Sequence, residues 1–336
     1  GDRVGVKPGL IPPLFDNEGN PVGNRPIGLC QSCQAVTNLD TTSKPPIGGQ
    51  NPDPITCPVC DELELLPIDA REPKGFFCCK SEDFDGSFDW VPNATRPMIL
   101  LDNNDLKHIE HSNLAVTAEP TEVISINDNG GQGGFDFRRV SLSGTAGSGA
   151  YAVDPHFWET SNDPTARVAL LSRRHTEVML IDFNNWPKDV YADPQSVSGR
   201  AAWYSFAFLM RTAAATLLDV DIQEIQAGIR TVELDGIPRG QIFLTDTLEN
   251  GAGYCRWLAE SKNVSQLLAS ATQSESTSLV SKWIQEAHAH QCDTSCNRCL
   301  QDYYNMQYHG LLDWRLALDM VSLAKSAENQ VGISLQ

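Results

Sequence analysis

Cysteine spacing is the feature of this sequence with the clearest chemical meaning. The chain has 336 residues and ten cysteines, and eight of the ten fall into two sets. The first set consists of two Cys-x-x-Cys pairs with 23 residues between them, and its members are Cys30, Cys33, Cys57 and Cys60. Four thiolates can complete a tetrahedral shell around Zn²⁺, and a shell completed by protein ligands is structural rather than catalytic. The first set therefore predicts a structural zinc site.

A second set lies near the C-terminus and has a less regular spacing. Its centre is formed by three closely spaced cysteines, Cys292, Cys296 and Cys299. Cys255 is the other cysteine nearest to them in sequence. His288 and His290 also lie close and could replace a ligand, but four cysteines already suffice for a closed zinc shell. We therefore expect two structural Zn²⁺ ions and no open metal position for catalysis.

Disulfide bonds are the alternative use of so many cysteines. Disulfide-rich domains are usually short, whereas paired Cys-x-x-Cys in a large chain favours metal binding in a reducing compartment. This points to a cytoplasmic protein. Cys78 and Cys79 belong to neither set. Because adjacent cysteines seldom bridge each other, we interpret them as ordinary thiols.

The charge of the chain limits its partners. The formal net charge is −18, and such a field repels nucleic acid at long range and suits a basic protein partner. Local contacts to phosphates remain possible through four arginines, Arg138, Arg139, Arg173 and Arg174. The alternative is that these arginines lie on solvated faces of strands. The longest apolar stretch, around residues 201–218, contains Arg211 and does not qualify as a membrane span.

Motifs for catalysis are weak in this sequence. Two glycine-rich segments, 127–134 and 144–149, lack the lysine of a phosphate-binding loop, and we interpret the first as a hairpin loop. Asp246 and Glu249 follow a predicted strand, where nuclease carboxylates often lie, but no downstream Glu-x-Lys or His-x-Lys completes a nuclease set. We therefore predict no catalytic residue and keep a metal-dependent nuclease or hydrolase using Asp246 and Glu249 as an alternative. A protein–protein adaptor without nucleic-acid contact is a further alternative.

The order of predicted elements favours an α+β fold in three parts. Residues 1–97 form a Pro/Gly-rich arm and a four-cysteine zinc knuckle region, and residues 98–197 contain alternating segments typical of a β-rich domain. Residues 198–336 contain a helix with apolar residues at 3.6-residue spacing, two strands around the turn at DGIPRG, and further helices at 276–290, 296–304 and 313–327. The chain begins with Gly1 rather than Met, which suggests a fragment or a processed chain.

The C-terminal part resembles the MZB domain, a zinc-binding domain named after a mitomycin-repair helicase. The resemblance lies in the segments LTDTLENGAGYC (244–255), CDTSCNRCLQDYYN (292–305) and HGLLDWRLALDM (309–320). Looser similarity to segments that precede this domain in bacterial defence proteins lies in REPKGFF (71–77), FDGSFDW (84–90) and ISINDNGG (124–131). MZB domains occur at the C-terminus of DEAD/DEAH-type helicases and in anti-phage proteins, including a helicase partner in DISARM systems and the large helicase of Druantia systems.

This resemblance implies a ligand set and a context. The family's four zinc cysteines correspond to Cys255, Cys292, Cys296 and Cys299. The ATPase motor of those proteins lies in RecA-like domains, whose motifs this sequence lacks, so helicase activity is not carried over. The resemblance therefore implies a non-catalytic zinc module of a bacterial helicase-based anti-phage or DNA-repair system. It would support a superfamily-2-type helicase, in the same polypeptide or as a separate subunit, with DNA bound through the complex.

Overall fold

The structure, a computed structural model, describes most of the chain from residue 25 onward. The described ranges are 6–7, 25–39, 53–72, 77–78, 95–99, 106–141, 150–152, 159–160, 166–272 and 279–329. Several features singled out in the sequence lie outside the described residues: Cys79, the glycine-rich segment 144–149, FDGSFDW (84–90), and the side chains of Cys78, Arg138 and Arg139.

Fourteen strands and five α-helices are present in these ranges. The strands are β1 (Val6–Lys7), β2 (Arg25–Cys30), β3 (Val36–Asn38), β4 (Leu65–Arg71), β5 (Phe77–Cys78), β6 (Thr95–Ile99), β7 (Lys107–His108), β8 (Leu114–Asn127), β9 (Phe135–Ser141), β10 (Ala150–Ala152), β11 (Glu159–Thr160), β12 (Ala166–Phe183), β13 (Ile225–Leu234) and β14 (Ile237–Asp246). The helices are α1 (Val197–Leu218), α2 (Tyr254–Leu258), α3 (Ser261–Ser270), α4 (Glu286–Ala289) and α5 (Trp314–Lys325). Twelve of the described strands form one sheet, and β1 and β5 pair with each other.

The 18-residue strand β12 is the centre of this sheet. Residues 170–183 of β12 pair antiparallel with β8, and residues 178–181 pair antiparallel with β14. The start of β12 pairs antiparallel with β9 and parallel with β4, which carries β2 and β3 on its other side. Strands from all three predicted parts therefore share one sheet, and the predicted domain boundaries stay a prediction.

The glycine-rich loop between β8 and β9 is not a hairpin turn. Both strands run beside β12: Asn127 lies opposite Leu170, and Phe135 lies opposite Val168. The loop leaves the sheet and returns to it on the same side. Gly134 closes the loop with a φ of +129, and a Cβ there would lie 2.4 Å from the carbonyl carbon of Val168. The loop therefore requires glycine for this close approach to β12.

Strands β13 and β14 form the hairpin that the sequence predicts. They pair along their whole length and are joined by Asp235 and Gly236, which both have positive φ angles (54° and 76°). Two positive φ angles are the signature of a type I′ turn, whose twist matches that of the flanking strands. The hairpin places Asp246, the last residue of β14, next to the loop that leads to α2.

Helix α1 covers the hairpin and is the main helix of the core. Its N-cap is Ser196, whose Oγ accepts a hydrogen bond from the Gly199 N–H at 2.9 Å. The helix packs against β13 and β14 and also against α3 and α5. Trp203, Phe206 and Leu209 are each at most 1% exposed. These contacts form the largest buried cluster among the described residues.

The predicted helices near the second cysteine set are confirmed only in part. Helix α5 begins after its N-cap Asp313, which accepts hydrogen bonds from the Arg315 and Leu316 N–H groups. The helix predicted at 296–304 is wrong, because Cys296 to Cys299 form a turn and a 3-10 helix follows at Tyr303–Tyr308. The Cys296 carbonyl accepts the N–H groups of Cys299 and Gln301, three and five residues later, instead of following the four-residue spacing of an α-helix.

The expected α+β class is confirmed, with one cysteine group near the N-terminus and one near the C-terminus. Within the described part of the chain, no helix combines the length and the apolar character that crossing a membrane requires.

Candidate metal centres

The first cysteine set comes together as a four-sulfur group, here called the N-terminal cysteine group: Cys30, Cys33, Cys57 and Cys60. All four sulfur atoms lie within 4.8 Å of one another. The Cys30–Cys60 and Cys33–Cys57 sulfur distances are 3.7 and 3.9 Å. Zn–S bonds of about 2.3 Å at tetrahedral angles place sulfur atoms about 3.8 Å apart. The separations fit a zinc shell and are far longer than the disulfide bond length of about 2.05 Å.

Two tight turns build this group. Cys30 ends β2 and Cys33 follows in the next turn, where its N–H donates to the Cys30 sulfur at 3.4 Å. The second turn places the Val59 N–H 3.4 Å from the Cys57 sulfur. It is closed by the Asp61 N–H, which donates to the Cys57 carbonyl. Backbone N–H groups that point at sulfur stabilise thiolates, which are the form that binds zinc.

The pKa values of three thiols in the N-terminal cysteine group are shifted in different directions. Hydrogen bonds from the Cys33 side chain and backbone lower the pKa of Cys30 to about 5 against the opposing effect of burial. The hydrogen bond between Cys33 and Cys30, together with burial, raises the pKa of the Cys33 thiol. Burial raises the pKa of Cys57 to about 11. A bound cation would replace the remaining protons, so zinc affinity rises with pH.

The N-terminal cysteine group is attached to the helical layer by its first turn. The Thr231 hydroxyl in β13 donates to the Cys33 carbonyl at 2.6 Å. The Arg200 guanidinium in α1 donates to the Ser32 carbonyl at 3.1 Å. The Gln195 amide reaches the Ser32 hydroxyl at 3.2 Å. The turn that carries two zinc ligands is therefore fixed to residues more than 150 positions away in sequence.

The second group contains a histidine. Here called the His–Cys₃ group, it consists of His288, Cys292, Cys296 and Cys299. Cys299 lies 3.9 Å from both other sulfur atoms, and the His288 Nε2 lies 3.5 Å from the Cys296 sulfur. A tetrahedral zinc ion with Zn–N of about 2.0–2.1 Å and Zn–S of about 2.3 Å places nitrogen and sulfur about 3.6 Å apart. The ligand atoms therefore fit a second zinc ion.

The orientation of His288 suits metal binding. Its Nδ1 lies 2.8 Å from the Trp283 carbonyl oxygen, which can only accept a hydrogen bond. Nδ1 therefore carries the proton, and the Nε2 lone pair faces Cys296. His288 is 5% exposed, and its ring lies edge-on to Trp314 at 5.6 Å. This is the arrangement expected of a histidine ligand held by a backbone carbonyl.

The structure brings His288 Nε2 together with the sulfur atoms of the three clustered cysteines, and Cys255 does not belong to this group, so Cys255 as the fourth ligand stays a prediction. Cys255 is the second residue of α2, and its N–H donates to the Asp246 carboxylate at 2.9 Å. Cys255 is 0% exposed, and burial raises the pKa of its thiol well above its ordinary value. This hydrogen bond fixes the start of α2 at the end of β14, within the buried core. The sequence signal that points to His288 is the short spacing His-x₃-Cys-x₃-Cys-x₂-Cys from His288 to Cys299.

Contacts from the start of α5 support the His–Cys₃ group. The Trp314 indole N–H donates to the Cys292 carbonyl at 3.2 Å, and the Trp314 backbone N–H donates to the Thr294 carbonyl at 2.9 Å. Arg315 donates to the Asp293 carbonyl. Burial raises the pKa of Cys292 to about 12. Burial of Cys296 is outweighed by hydrogen bonds led by the Arg298 N–H, which lower its pKa to about 6.

Asp246 has a structural role in this geometry. Its carboxylate accepts four backbone N–H bonds of 2.7–3.1 Å, whose donors are Ala252, Gly253, Tyr254 and Cys255. Four bonds use the roughly four lone-pair positions that a carboxylate offers. Asp246 is 0% exposed, whereas Glu249 is exposed. Neither residue belongs to a metal-ligand group among the described residues.

The four predicted phosphate-binding arginines are not placed on one surface. Successive residues of a strand point to opposite faces, so Arg173 and Arg174 of β12 diverge. Arg173 pairs with Glu72 at 2.9 Å and is half exposed. Arg174 donates to Gln226 at 2.6 Å and to Thr245 at 2.8 Å, and burial lowers its pKa. The other two lie in β9, and their side chains are outside the described residues.

Comparison with known proteins gives one limited sequence match. No family model matches the chain. The chain is 30% identical over 128 residues to Druantia protein DruE of Escherichia coli (strain UMEA 4076-1). The alignment covers 37% of this chain and 6% of DruE, so the matched part is a small fraction of that protein. This similarity agrees with the resemblance described above, which includes Druantia systems.

Among solved structures, the chain is similar to the crystal structure of the DUF1998 helicase MrfA bound to DNA. The match covers 68% of this chain and 25% of the other, with 10% sequence identity and a TM-score of 0.39. At this identity and TM-score, the similarity carries no further argument about fold or function.

Proposed function

We propose that this chain is a non-catalytic zinc-binding module of a bacterial helicase-based anti-phage defence or DNA-repair system. The observation that carries the proposal is the pair of four-ligand groups, whose separations suit closed tetrahedral shells. Such shells leave no position for substrate or activated water, so their role is to hold the fold. The sequence similarity to Druantia protein DruE supports the defence context.

The proposed partner is a superfamily-2-type helicase, in the same polypeptide or as a separate subunit. In this role the module supports the motor and the nucleic-acid path beside it. The net charge of −18 argues against independent binding of DNA, so DNA contact is proposed to occur through the complex. A reducing, cytoplasmic environment is part of the proposal, because the ligands must remain thiolates.

The proposal is tested by measuring ATP hydrolysis, first with the purified chain alone and then with the helicase of the same system. We expect no ATPase activity from the chain alone, and a larger DNA-stimulated rate when the zinc-loaded chain is added. Cys296→Ser, which lacks one ligand, should reduce that stimulation. ATP hydrolysis by the chain alone, or no effect on the helicase, would contradict the proposal.

A nuclease or hydrolase using Asp246 and Glu249 has less support, because Asp246 is fully occupied by backbone donors. The test is incubation of the wild-type chain with DNA and Mg²⁺. Cleavage that is lost in Asp246→Ala with the fold intact would establish this alternative, and an inert wild type would exclude it.

A pure protein–protein adaptor is favoured by one observation: the guanidinium groups of Arg173 and Arg174 are engaged within the chain. Charge reversal of Arg138, Arg139, Arg173 and Arg174 separates the adaptor from the leading proposal. If the DNA affinity of the whole complex is unchanged, the result supports the adaptor function over the leading proposal. A clear loss of DNA affinity with both zinc ions retained would support contact with nucleic acid.

A further inference from the structure

A pocket of about 240 Å³ lies between α1, the β13–β14 hairpin and the 3-10 helix Tyr303–Tyr308. Pockets for drug-sized ligands measure about 300–1,000 Å³, so this one suits a single small ring system. The 3-10 helix that forms one wall begins directly after its N-cap Asp302, whose carboxylate accepts the Tyr304 N–H at 2.7 Å. In return, the Asn305 Oδ1 accepts the Asp302 N–H at 2.9 Å. The pocket is therefore built partly by the segment that follows the His–Cys₃ group.

Aromatic side chains line two sides of this pocket. Phe208 of α1 and Tyr308 lie with ring centroids 5.4 Å apart, and the buried Phe243 of β14 also lines the pocket. Tyr304 also lines the pocket and is 49% exposed. A half-exposed ring beside buried rings offers a planar ligand a surface for stacking, a contact that is favourable for any base.

The polar groups that line the pocket are mostly uncharged. They include the amide side chains of Gln223, Gln226 and Gln307 and the hydroxyl groups of Ser125 and Thr247. The Gln226 Oε1 already accepts from Arg174, so the amides of Gln223 and Gln307 are the ones that offer both a donor and an acceptor, as the hydrogen-bonding edges of nucleobases do. The pocket can therefore match a ring that has donors and acceptors along one edge and carries no charge.

Arg211 adds a buried donor to the wall. It is 3% exposed, lies over the Phe208 ring at 4.8 Å and pairs with Asp302, which cancels its charge. Its Nε is buried and has no hydrogen-bond partner. Because this atom has less than 1 Å² of exposed surface, a ligand in the pocket does not reach it, and Arg211 contributes to the pocket only as part of its wall.

We propose that this pocket binds one nucleobase, either of a free nucleoside or of an unpaired position in a single strand. The ring would stack on Tyr304, and its polar edge would meet the amides of Gln223 and Gln307. The charge of Arg211 is neutralised by Asp302, so recognition is directed at the base rather than at phosphate. The inference goes beyond the proposed function and does not depend on it, because it requires neither a helicase partner nor the arginines of β9 and β12.

The test is isothermal titration calorimetry of the zinc-loaded chain with adenosine, cytidine and thymidine, and with short oligodeoxynucleotides. We expect saturable binding of at least one nucleoside or of an oligonucleotide that carries its bases. The affinity should fall about tenfold in Tyr304→Ala. Gln223→Ala, in an exposed 3-10 helix, should also weaken binding. The control is Trp257→Ala, because Trp257 is 39% exposed and does not line the pocket.

The two sources of the base are distinguished by which ligand binds, and an oligonucleotide without bases tests recognition of the backbone. The inference is overturned if no nucleoside or oligonucleotide binds, if the base-free strand binds equally well, or if Tyr304→Ala and Gln223→Ala bind like wild type. Zinc content is measured for each variant. A failure here with two zinc ions retained would leave the proposed zinc module unaffected.

Discussion

The two metal groups differ in how they relate to the hydrophobic core. The buried residues around the N-terminal cysteine group form a small cluster in which three of the five members are ligands: Cys30, Cys33, Ala35, Cys57 and Leu65. The His–Cys₃ group instead packs against the largest core, which α1 and α5 build from many apolar side chains. At the first group the ligands are the core. At the second, the ligands attach a loop to a core that has other sources of stability.

The ligand sets differ as well. Four thiolates around Zn²⁺ leave a net charge of about −2, whereas three thiolates and a neutral histidine leave about −1. Three of the four N-terminal ligands are buried, compared with two of the four at the His–Cys₃ group. Zinc should therefore contribute more to local stability at the N-terminal cysteine group, and this comparison can be tested by substitution.

The largest expected effect follows from Cys57→Ser, which removes a buried ligand of the N-terminal cysteine group. Structural zinc sites in small domains contribute apparent binding free energies of about 10–16 kcal/mol, so the surrounding segment should lose its fold. Hydrogen exchange should show lost protection in residues 26–38 and 65–71, with α1 still protected. The matched variant Cys296→Ser should lose one zinc ion but keep protection in α1 and α5. Equal loss across the chain in both variants would refute the difference.

A smaller effect is expected for Asp246→Asn, which changes the acceptor of the four backbone N–H groups at the start of α2. The amide would place a donor against backbone N–H donors and lose charge-assisted hydrogen bonds, at a cost of about 3 kcal/mol. Thermal denaturation measures this loss, and the zinc content should stay at two. Glu249→Gln is the control, because Glu249 is exposed. Unchanged stability of Asp246→Asn would show that the four backbone contacts are unimportant.

The hydrogen bond from Thr231 of β13 to the first turn of the N-terminal cysteine group is expected to contribute about 1 kcal/mol to the free energy of unfolding. Thr231→Val removes the donor to the Cys33 carbonyl while keeping the shape of the side chain. Exchange protection of residues 30–38 should decrease, and both zinc ions should remain bound. Thr216→Val, at an exposed position of α1, serves as the comparison. If the two variants behave alike, the Thr231 hydrogen bond does not contribute to holding the first turn.

The smallest effect is expected for Arg173→Ala, which breaks an ion pair between β12 and Glu72 near the N-terminal region. Both side chains are nearly half exposed, at 49% and 46%, so the pair should contribute less than about 1 kcal/mol. The midpoint of urea denaturation gives the measurement. A loss several times larger would mean that this ion pair stabilises the contact between β12 and the N-terminal region far more than an exposed pair should.

The ease of predicting the two groups from sequence differs for a physical reason. Each Cys-x-x-Cys pair brings two ligands together within one turn, so the N-terminal cysteine group could be identified from spacing. The fourth ligand of the second group depends on tertiary structure, because Asp246 fixes Cys255 in the core and Trp283 orients His288. The resemblance to a four-cysteine family pointed to Cys255 at that position, whereas the geometry places His288 there.

The fold class and the main elements α1, α5 and the β13–β14 hairpin could be predicted because their periodicity and turn residues are local signals. The length of β12 could not, since its middle is polar and is held by pairing with β8 over 14 residues. The proposed base pocket was also beyond sequence analysis. Its lining comes from residues as far apart as Pro97 and Tyr308, which are brought together only by the sheet and by the 3-10 helix that follows the His–Cys₃ group.

The most direct test of the account is the number of zinc ions bound by three proteins, counted by native mass spectrometry after purification under reducing conditions. We predict two for the wild type, one for His288→Ala and two for Cys255→Ala. One zinc ion in Cys255→Ala, with two retained in His288→Ala, would restore the four-cysteine site and contradict the His–Cys₃ group. Absence of zinc from the wild type would contradict both metal groups together.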